Sequence, residues 1–302
     1  MSAAAYIRID ALGPERRRAL LARGADAERF LQGTISGDVT RSKDAAVAAT
    51  LLTVKGKIIS DLVVTQEEDA LVLWIPVSCF DDVHARLCRH VIMDEVDFAP
   101  ADDLVAALVL DPTGKDGIEA DYPASGRWVQ GPRVSMEAAW PVEGALSPAS
   151  WAAHRVRAGL PAWSREVVPD VFPPEVGLVR AVSYEKGCYM GQEPLARIHA
   201  RGQVNRVLVR VRWREDADAD GSLPAGLTHP DRPAAGRLTT MAVTDEGMMG
   251  LAVVHRSLAV PGTRMQAEPE PGSEAAAARE VEVTSGPIGD DDGVAGRGRQ
   301  GR

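Results

Sequence analysis

The sequence predicts an α+β protein of more than one domain that ends in a small β-barrel, and three observations predict it. Up to about Arg201, helix-like and strand-like stretches are mixed without the regular alternation of a doubly wound parallel sheet. No Gly-x-Gly-x-x-Gly follows a strand and no Gly-x-x-x-x-Gly-Lys-Ser/Thr occurs, so dinucleotide and P-loop readings fail at the first check. From about Arg201 onward the text turns to short apolar runs separated by polar turns, the pattern of a barrel or sandwich. At roughly 150 residues per domain, the length of 302 residues suits about two domains, or three small ones.

Each element has its own signal. Pro14 to Arg23 reads as a polar helix, and Asp26 to Gln32 as a second one with Asp26 as its N-cap. Val47 to Val54 and Ile58 to Thr65 read as strands around a Lys55-Gly56-Lys57 hairpin turn. Ala70 to Val77 gives a strand, Asp82 to His90 a helix, and Leu104 to Leu110 another strand. Gly114 to Leu146 is rich in Gly and Pro and reads as loop with weak strands. Ser150 to Ala158 is a predicted helix carrying Trp151, His154, Arg155 and Arg157. The apolar run Val179 to Tyr184 reads as a strand and Gln192 to His199 as a short helix, with Pro194 in its first turn and Gly202 placed to stop it. Val207 to Trp213, Gly236 to Val243, Met248 to Val254 and Val281 to Thr284 are the barrel's strands, with Ala267 to Arg279 a loop. Beyond Gly286 there is almost nothing to bury, and disorder is expected.

Composition narrows the function classes. Hydrophobics at 45% and charged residues at 25% are those of a soluble globular protein. No apolar run approaches the roughly 20 residues of a membrane span, and the first residues do not begin a signal peptide, so a cytoplasmic protein with no membrane partner is expected. Cys79, Cys88 and Cys188 form no Cys-x-x-Cys pair and read as reduced thiols. A metal site held wholly by this chain is not expected. The net charge of −9 argues against an extended phosphate binder, although Arg197, His199, Arg201, Arg206, Arg210, Arg212 and Arg214 make one basic segment. In a strand from Val207 to Trp213, Arg210, Arg212 and Arg214 would share one face, either solvated or a landing site for carboxylates or RNA.

The densest chemistry lies in Tyr184-Glu185-Lys186-Gly187-Cys188-Tyr189-Met190-Gly191-Gln192-Glu193. Cys188 would sit in a glycine-flanked turn where a strand hands over to a helix. The unpaired amides of the helix start and the Lys186 charge both favour a thiolate, and Gly187 and Gly191 allow close approach of a ligand to the backbone. The competing reading is a small buried hydrophobe in a tight turn.

That segment resembles the signature of the YgfZ family, the folate-binding relatives of the glycine-cleavage T-protein. Arg157-Ala158-Gly159-Leu160-Pro161 and Phe172-Pro173-Pro174-Glu175-Val176-Gly177-Leu178 are similar to the family's approach to the motif. Gly24-Ala25-Asp26, Phe30-Leu31-Gln32-Gly33, Asp38-Val39 and Lys55-Gly56-Lys57 resemble its N-terminal pattern, and Arg201-Gly202 with Asn205-Arg206 its last domain. The resemblance spans roughly Ala11 to Met265. It implies a GcvT/YgfZ-like multi-domain arrangement: a folate-binding core from 1–45 and 145–200, an α+β middle domain over 46–144, a barrel over 201–285 and a disordered tail over 286–302.

By resemblance, the cofactor is tetrahydrofolate or a folate derivative. Trp151 falls where the family carries a folate-contacting tryptophan, and Glu175 matches the acidic or amide position after the proline pair. Arg157, Tyr189, Gln192, Glu193 and Arg197 complete the expected folate contacts, while Cys188 is the functional thiol and Lys186 its electrostatic support. The implied role is that of an accessory protein in iron-sulfur cluster assembly or repair, with client or assembly proteins as partners and tRNA as a further contact. Two departures stand out. The aromatic that family members can carry ahead of Gly-Ala-Asp is absent, Arg16-Arg17-Arg18 standing there instead. True aminomethyltransferases carry G-G-x-x-D-D-L, whereas here Gly56-Lys57-Ile58-Ile59-Ser60-Asp61-Leu62 puts Ser60 at the catalytic carboxylate's position. A hydroxyl cannot supply that charge, which disfavours the alternative of a folate-dependent one-carbon transferase or demethylase. Whether the chain is an enzyme at all stays open at the level of sequence.

Overall fold

The computed structural model describes residues 5–111, 115–202, 204–213, 225–268 and 278–289. The chain divides into two compact units: Met1–Pro148, Val168–Asp170 and Arg180–Pro194 in one, and Ala149–Val167, Val171–Val179 and Leu195–Arg302 in the other. Among the described residues, no helix is long and apolar enough to cross a membrane.

The first unit is α+β, as predicted. Its strands are β1 (Tyr6–Arg8), β2 (Arg17–Arg23), β3 (Ala45–Leu52), β4 (Ile58–Glu67), β5 (Ala70–Pro76), β6 (Asp97–Pro100), β7 (Leu104–Val109), β8 (Ile118–Ala120) and β9 (Gly126–Pro132). They form one sheet in the order β1-β7-β9-β8-β3-β4-β5-β2-β6, antiparallel throughout except where β3 meets β8. Helices α1 (Ala27–Thr34) and α2 (Phe80–His90) cover one face. Phe30 and Leu31 of α1 and Phe80, Val83 and Leu87 of α2 recur at helical spacing and pack on Leu20, Leu62, Val64, Leu73 and Ile75. The other face is also buried but partly polar. Trp74 and Trp128 meet edge to face at 5.5 Å, and the Trp74 indole N–H donates to Thr65 at 2.9 Å. A third helix, α3 (Arg133–Ala139), lies against β7 and β9.

Three expectations are corrected here. Pro14 to Arg23 is not a helix: a 3-10 turn at Gly13–Glu15 leads into β2, whose Leu20 and Ala22 face the helices while Arg17 faces the polar side. The polar look of the segment came from buried arginine, which reads as solvated surface. Val179 to Tyr184 is not a strand either, but a 3-10 turn at Val179–Ala181 and irregular chain. Its polar backbone groups are met by Ser36, not by a ladder: Ser183 N–H donates to the Ser36 carbonyl at 2.9 Å and the Ser36 hydroxyl to the Ala181 carbonyl at 2.5 Å. The stretch read as loop with weak strands, Gly114 to Leu146, carries strands β8 and β9, the latter paired with β7 from Arg127 to Pro132, but also the helix α3, which was not expected. Short elements between Gly and Pro leave little periodicity to read.

The second unit holds α4 (Pro148–Ala158) and a closed six-stranded barrel. Its strands are β10 (Arg206–Trp213), β11 (Ala225–His229), β12 (Arg232–Thr244), β13 (Gly247–His255), β14 (Arg264–Glu268) and β15 (Arg279–Val283), ordered β10-β13-β12-β11-β14-β15. Closure leaves no exposed sheet edge. Val207, Val209, Val211, Leu238, Val254, Val281 and Val283 fill the interior. Beside it, the buried Glu166 carboxylate accepts from Thr239 and Thr240, both at 2.6 Å, from the Ala162 amide at 3.0 Å and from Arg155 at 3.2 Å. Four donors on one carboxylate offset the desolvation of the buried charge. The loop expected over Ala267 to Arg279 is shorter at both ends, since β14 runs to Glu268 and β15 starts at Arg279. Its middle, Arg214 and the tail from 290 to 302 lie outside the described residues.

Candidate functional site

The predicted motif is a turn welded to the first unit. Met190 N–H donates to the Gly33 carbonyl at 3.1 Å, just inside the end of α1. Gly191 has φ of +79°, and a Cβ there would stand 2.4 Å from the Thr53 carbonyl oxygen and 3.2 Å from Gly56 Cα. Only glycine permits that approach and that backbone conformation at no cost. The motif therefore packs on the β3–β4 hairpin, whose Gly56 has φ of 74° and whose Thr53 N–H donates to the Lys57 carbonyl at 2.8 Å. Two sequence patterns more than a hundred residues apart meet here.

Lys186 closes the weld. Its Nζ donates to the carbonyls of Gly37 at 2.6 Å, Ile35 at 2.7 Å and Gln32 at 2.9 Å. An ammonium has three protons, and all three are used. The charge lies at the C-terminal end of α1, where the helix dipole favours a cation, and 4.8 Å from the centroid of the Tyr189 ring. Burial pushes the Lys186 pKa down to about 8, with the Asp38 carboxylate opposing. Lys186, expected as support for the thiol, is thus engaged in holding the turn.

Cys188 itself is exposed. Nothing lies within 4 Å of where a Cβ on Gly187 would be, so the turn stands open beside the thiol. Cys188 is not the small buried hydrophobe of the competing reading. Cys88 is also exposed, on α2, whereas Cys79 is half-buried, its thiol 3.2 Å from the Ser60 hydroxyl and pushed up to about 11 by burial. Tyr189 is buried, its hydroxyl has no hydrogen-bond partner among the described residues, and desolvation raises its pKa. Gln192 and Glu193 open α5 (Gln192–Arg201), with Gln192 N–H donating to the Tyr189 carbonyl at 3.2 Å.

The remaining predicted residues lie in the second unit. Trp151 is 2% exposed and stacks on His154 with ring centroids 5.5 Å apart. Burial and Arg157 lower the His154 pKa. Arg157 is exposed and paired with Asp245 at 2.9 Å. Glu175 accepts from the Phe172 amide at 2.9 Å and closes the 3-10 turn Pro173–Val176, which Gly177 ends at φ of 76°. Arg197 is exposed on α5.

One cluster had no role assigned from sequence. On the polar face of the sheet, Arg17 bonds Asp61 at 2.5 Å and the Tyr122 hydroxyl donates to the same carboxylate oxygen. The other oxygen, Asp61 Oδ1, is buried without a partner among the described residues. Burial raises the Tyr122 pKa strongly. Ser60 is also fully buried, and its hydroxyl donates to the backbone carbonyl of Asp61 at 2.8 Å. In the sequence Arg17 lies in an arginine run inside a stretch that reads as a helix and Asp61 in a predicted strand, so no local pattern joins them.

Fold and site together define a T-protein-like α+β scaffold, with a terminal β-barrel, that presents an exposed thiol on a locked turn. The fold matches the solved aminomethyltransferase T of the glycine cleavage system from Bartonella henselae, with a TM-score of 0.74 over 93% of this chain and 85% of that one, at 16% identity. The mitochondrial iron-sulfur cluster assembly factor IBA57 of Homo sapiens is 26% identical over 271 residues, covering 79% of this chain and 75% of that protein. The tRNA-modifying protein YgfZ of Klebsiella pneumoniae is 28% identical over 219 residues, 61% of this chain and 66% of that protein. No protein-family profile matches the chain. The chain is thus similar in sequence to YgfZ and IBA57 and shares the fold of the aminomethyltransferase, in line with the resemblance its motif carries.

Proposed function

We propose that this protein is a tetrahydrofolate-binding accessory factor in iron-sulfur cluster assembly or repair, acting on cluster-dependent proteins that include tRNA-modifying enzymes. The observation that carries the reading is the exposed Cys188, held on a turn that Lys186, Gly191 and Met190 fix to the first unit. Such rigidity suits a thiol that meets a partner or a cluster in a fixed orientation, and its exposure suits a cargo that arrives from outside. The named relatives, an iron-sulfur assembly factor and a tRNA-modifying protein, support the same direction.

For the folate, the residues fit in part. The buried Tyr189 hydroxyl without a partner is an observation that favours a polar ligand at the motif, since an unsatisfied buried hydroxyl costs roughly 1–3 kcal/mol. Tyr189 would hold the ligand by a hydrogen bond from that hydroxyl; Trp151, the tryptophan that the resemblance puts on folate, is buried against His154. Glu175 and Arg157 already serve the Phe172 amide and Asp245. When bound, tetrahydrofolate supplies a carrier for one-carbon units. The alternative, one-carbon transfer by this chain, is disfavoured because Ser60 offers no carboxylate and is fully buried.

The deciding experiment is calorimetric titration with tetrahydrofolate on wild type, Trp151→Ala and Cys188→Ala. Binding lost with Trp151→Ala but kept with Cys188→Ala is the expected pattern, leaving the thiol for a separate role. Absence of binding to wild type would sink the folate assignment.

A further inference from the structure

The arginines of the basic segment have different fates in the barrel. Arg212 pairs with Glu282 at 3.0 Å, and Arg210 donates to the Arg157 carbonyl at 2.5 Å. Those two guanidiniums are engaged inside the unit. Arg206, the first residue of β10, is exposed and makes no ion pair among the described residues. It lies directly across the ladder from His255, the last residue of β13. Arg232 opens β12 and is likewise exposed, with no ion pair among the described residues. Arg256 follows His255, and among the described residues its guanidinium reaches the Gly202 carbonyl at 3.4 Å.

These charges converge on one imidazole. Burial first, and then Arg232, Arg206 and Arg256, lower the His255 pKa. His255 Nδ1 contacts the Ser257 hydroxyl at 2.8 Å and accepts from the Ser257 amide at 3.3 Å. Asp231, next to Arg232 in sequence, lies 3.9 Å from His229 Nδ1. Three like charges gathered at one end of a barrel repel one another, whereas other surface arginines, among them Arg29, Arg133 and Arg157, have carboxylate partners.

We propose that Arg206, Arg232, Arg256 and His255 form a docking surface for the phosphodiester backbone of nucleic acid. A guanidinium presents a planar fork that matches phosphate oxygens, and separate exposed arginines suit successive phosphates along a chain. A protein partner would call for an apolar or aromatic centre. In this unit, the exposed large hydrophobics among the described residues are Val243 and Val260, with no aromatic. Backbone contacts of this kind position a nucleic acid without reading its sequence. The surface belongs to the barrel and stands whether or not the chain binds folate.

The test uses the full chain, titrated with unfractionated tRNA, a duplex DNA and polyglutamate between about 50 mM and about 200 mM salt. Three phosphate contacts predict a log–log salt slope of roughly −2 to −3, a loss of about 20- to 40-fold in tRNA affinity across that range. Arg206→Ala and Arg232→Ala should each reduce the slope by about 1, and Arg212→Ala should leave it unchanged. Both variant sites are exposed, so folding is preserved and melting curves verify it. Binding of tRNA and DNA alike, or of tRNA more tightly, is the expected result. No tRNA binding at the lower salt, an unchanged affinity in the Arg206→Ala/Arg232→Ala double variant, or tighter binding of polyglutamate than of either nucleic acid would each overturn the proposal.

Discussion

At the scale of the residue, Lys186 shows how a charge can be spent on architecture. Three carbonyls within 2.9 Å take its three protons, and removing the ammonium leaves those oxygens short of a donor. Lys186→Met should therefore lower stability by on the order of 1–3 kcal/mol, measured by urea unfolding. The pH dependence has a definite sign. Burial takes the folded-state pKa from the ordinary 10.5 down to about 8, so between those values the unfolded chain binds a proton that the folded chain does not. Stability contributed by this group rises with pH across that window. The stability of wild type relative to Lys186→Met should accordingly increase from pH about 8 to about 10, and a flat difference would refute the burial argument. Sequence pointed to Lys186 by its nearness to Cys188, but its partners at Gln32, Ile35 and Gly37 lie some 150 residues away and carry no side-chain signal. A backbone carbonyl is the same in every residue, so no reading of residue types could find them.

At the scale of the element, the motif's two glycines have unequal duties. Gly191 combines φ of +79° with a close approach to the Thr53 carbonyl, while Gly187 has open space around it. Gly191→Ala should cost more than 1 kcal/mol and displace the turn, visible as lost protection of the Met190 amide, whereas Gly187→Ala should melt within about 0.5 kcal/mol of wild type. Equal effects of the two substitutions would show that the packing of Gly191 on the hairpin is not what fixes the turn. The element scale is also where sequence reading did best and worst. Helices α1, α2, α4 and α5, the β3–β4 hairpin and strands β10, β12 and β13 were legible because their apolar periodicity is regular. β2 was misread because the arginines at its start suggested solvent, whereas the Asp61 carboxylate, the Tyr122 hydroxyl and the Trp74 carbonyl make a buried Arg17 tolerable. Strands β1, β6, β8, β11 and β14 are five residues or fewer, too short for a pattern of period two to declare itself.

At the scale of the whole molecule, the first unit is discontinuous in sequence: 180–194 returns to a fold built mainly from the first half of the chain. Ser36 marks that return. Its hydroxyl donates to the Ala181 carbonyl, lies 2.7 Å from the Thr50 hydroxyl and accepts from the Thr50 amide at 2.8 Å, while its own carbonyl receives the Ser183 amide. Ser36→Ala strips a buried hydroxyl from several partners and should lower stability by about 1–3 kcal/mol. Hydrogen exchange at the Ser183 and Met190 amides should quicken more than at α2, and uniform quickening would mean that Ser36 supports the fold in general and not this junction.

By itself, the sequence determined the α+β class, the closing β-barrel, the resemblance carried by Lys186-Gly187-Cys188-Tyr189-Met190-Gly191-Gln192-Glu193, and the missing carboxylate at Ser60, because periodicity, composition and residue identity are local properties. Tertiary structure decided what those residues do for one another. It put Cys188 in the open and Trp151 in the interior, engaged Lys186 with carbonyls, and sorted the arginines into paired ones and a cluster around His255. Burial, partner choice and the sum of nearby charges depend on chain segments that are distant in sequence, and they exist only once the fold has brought those segments together.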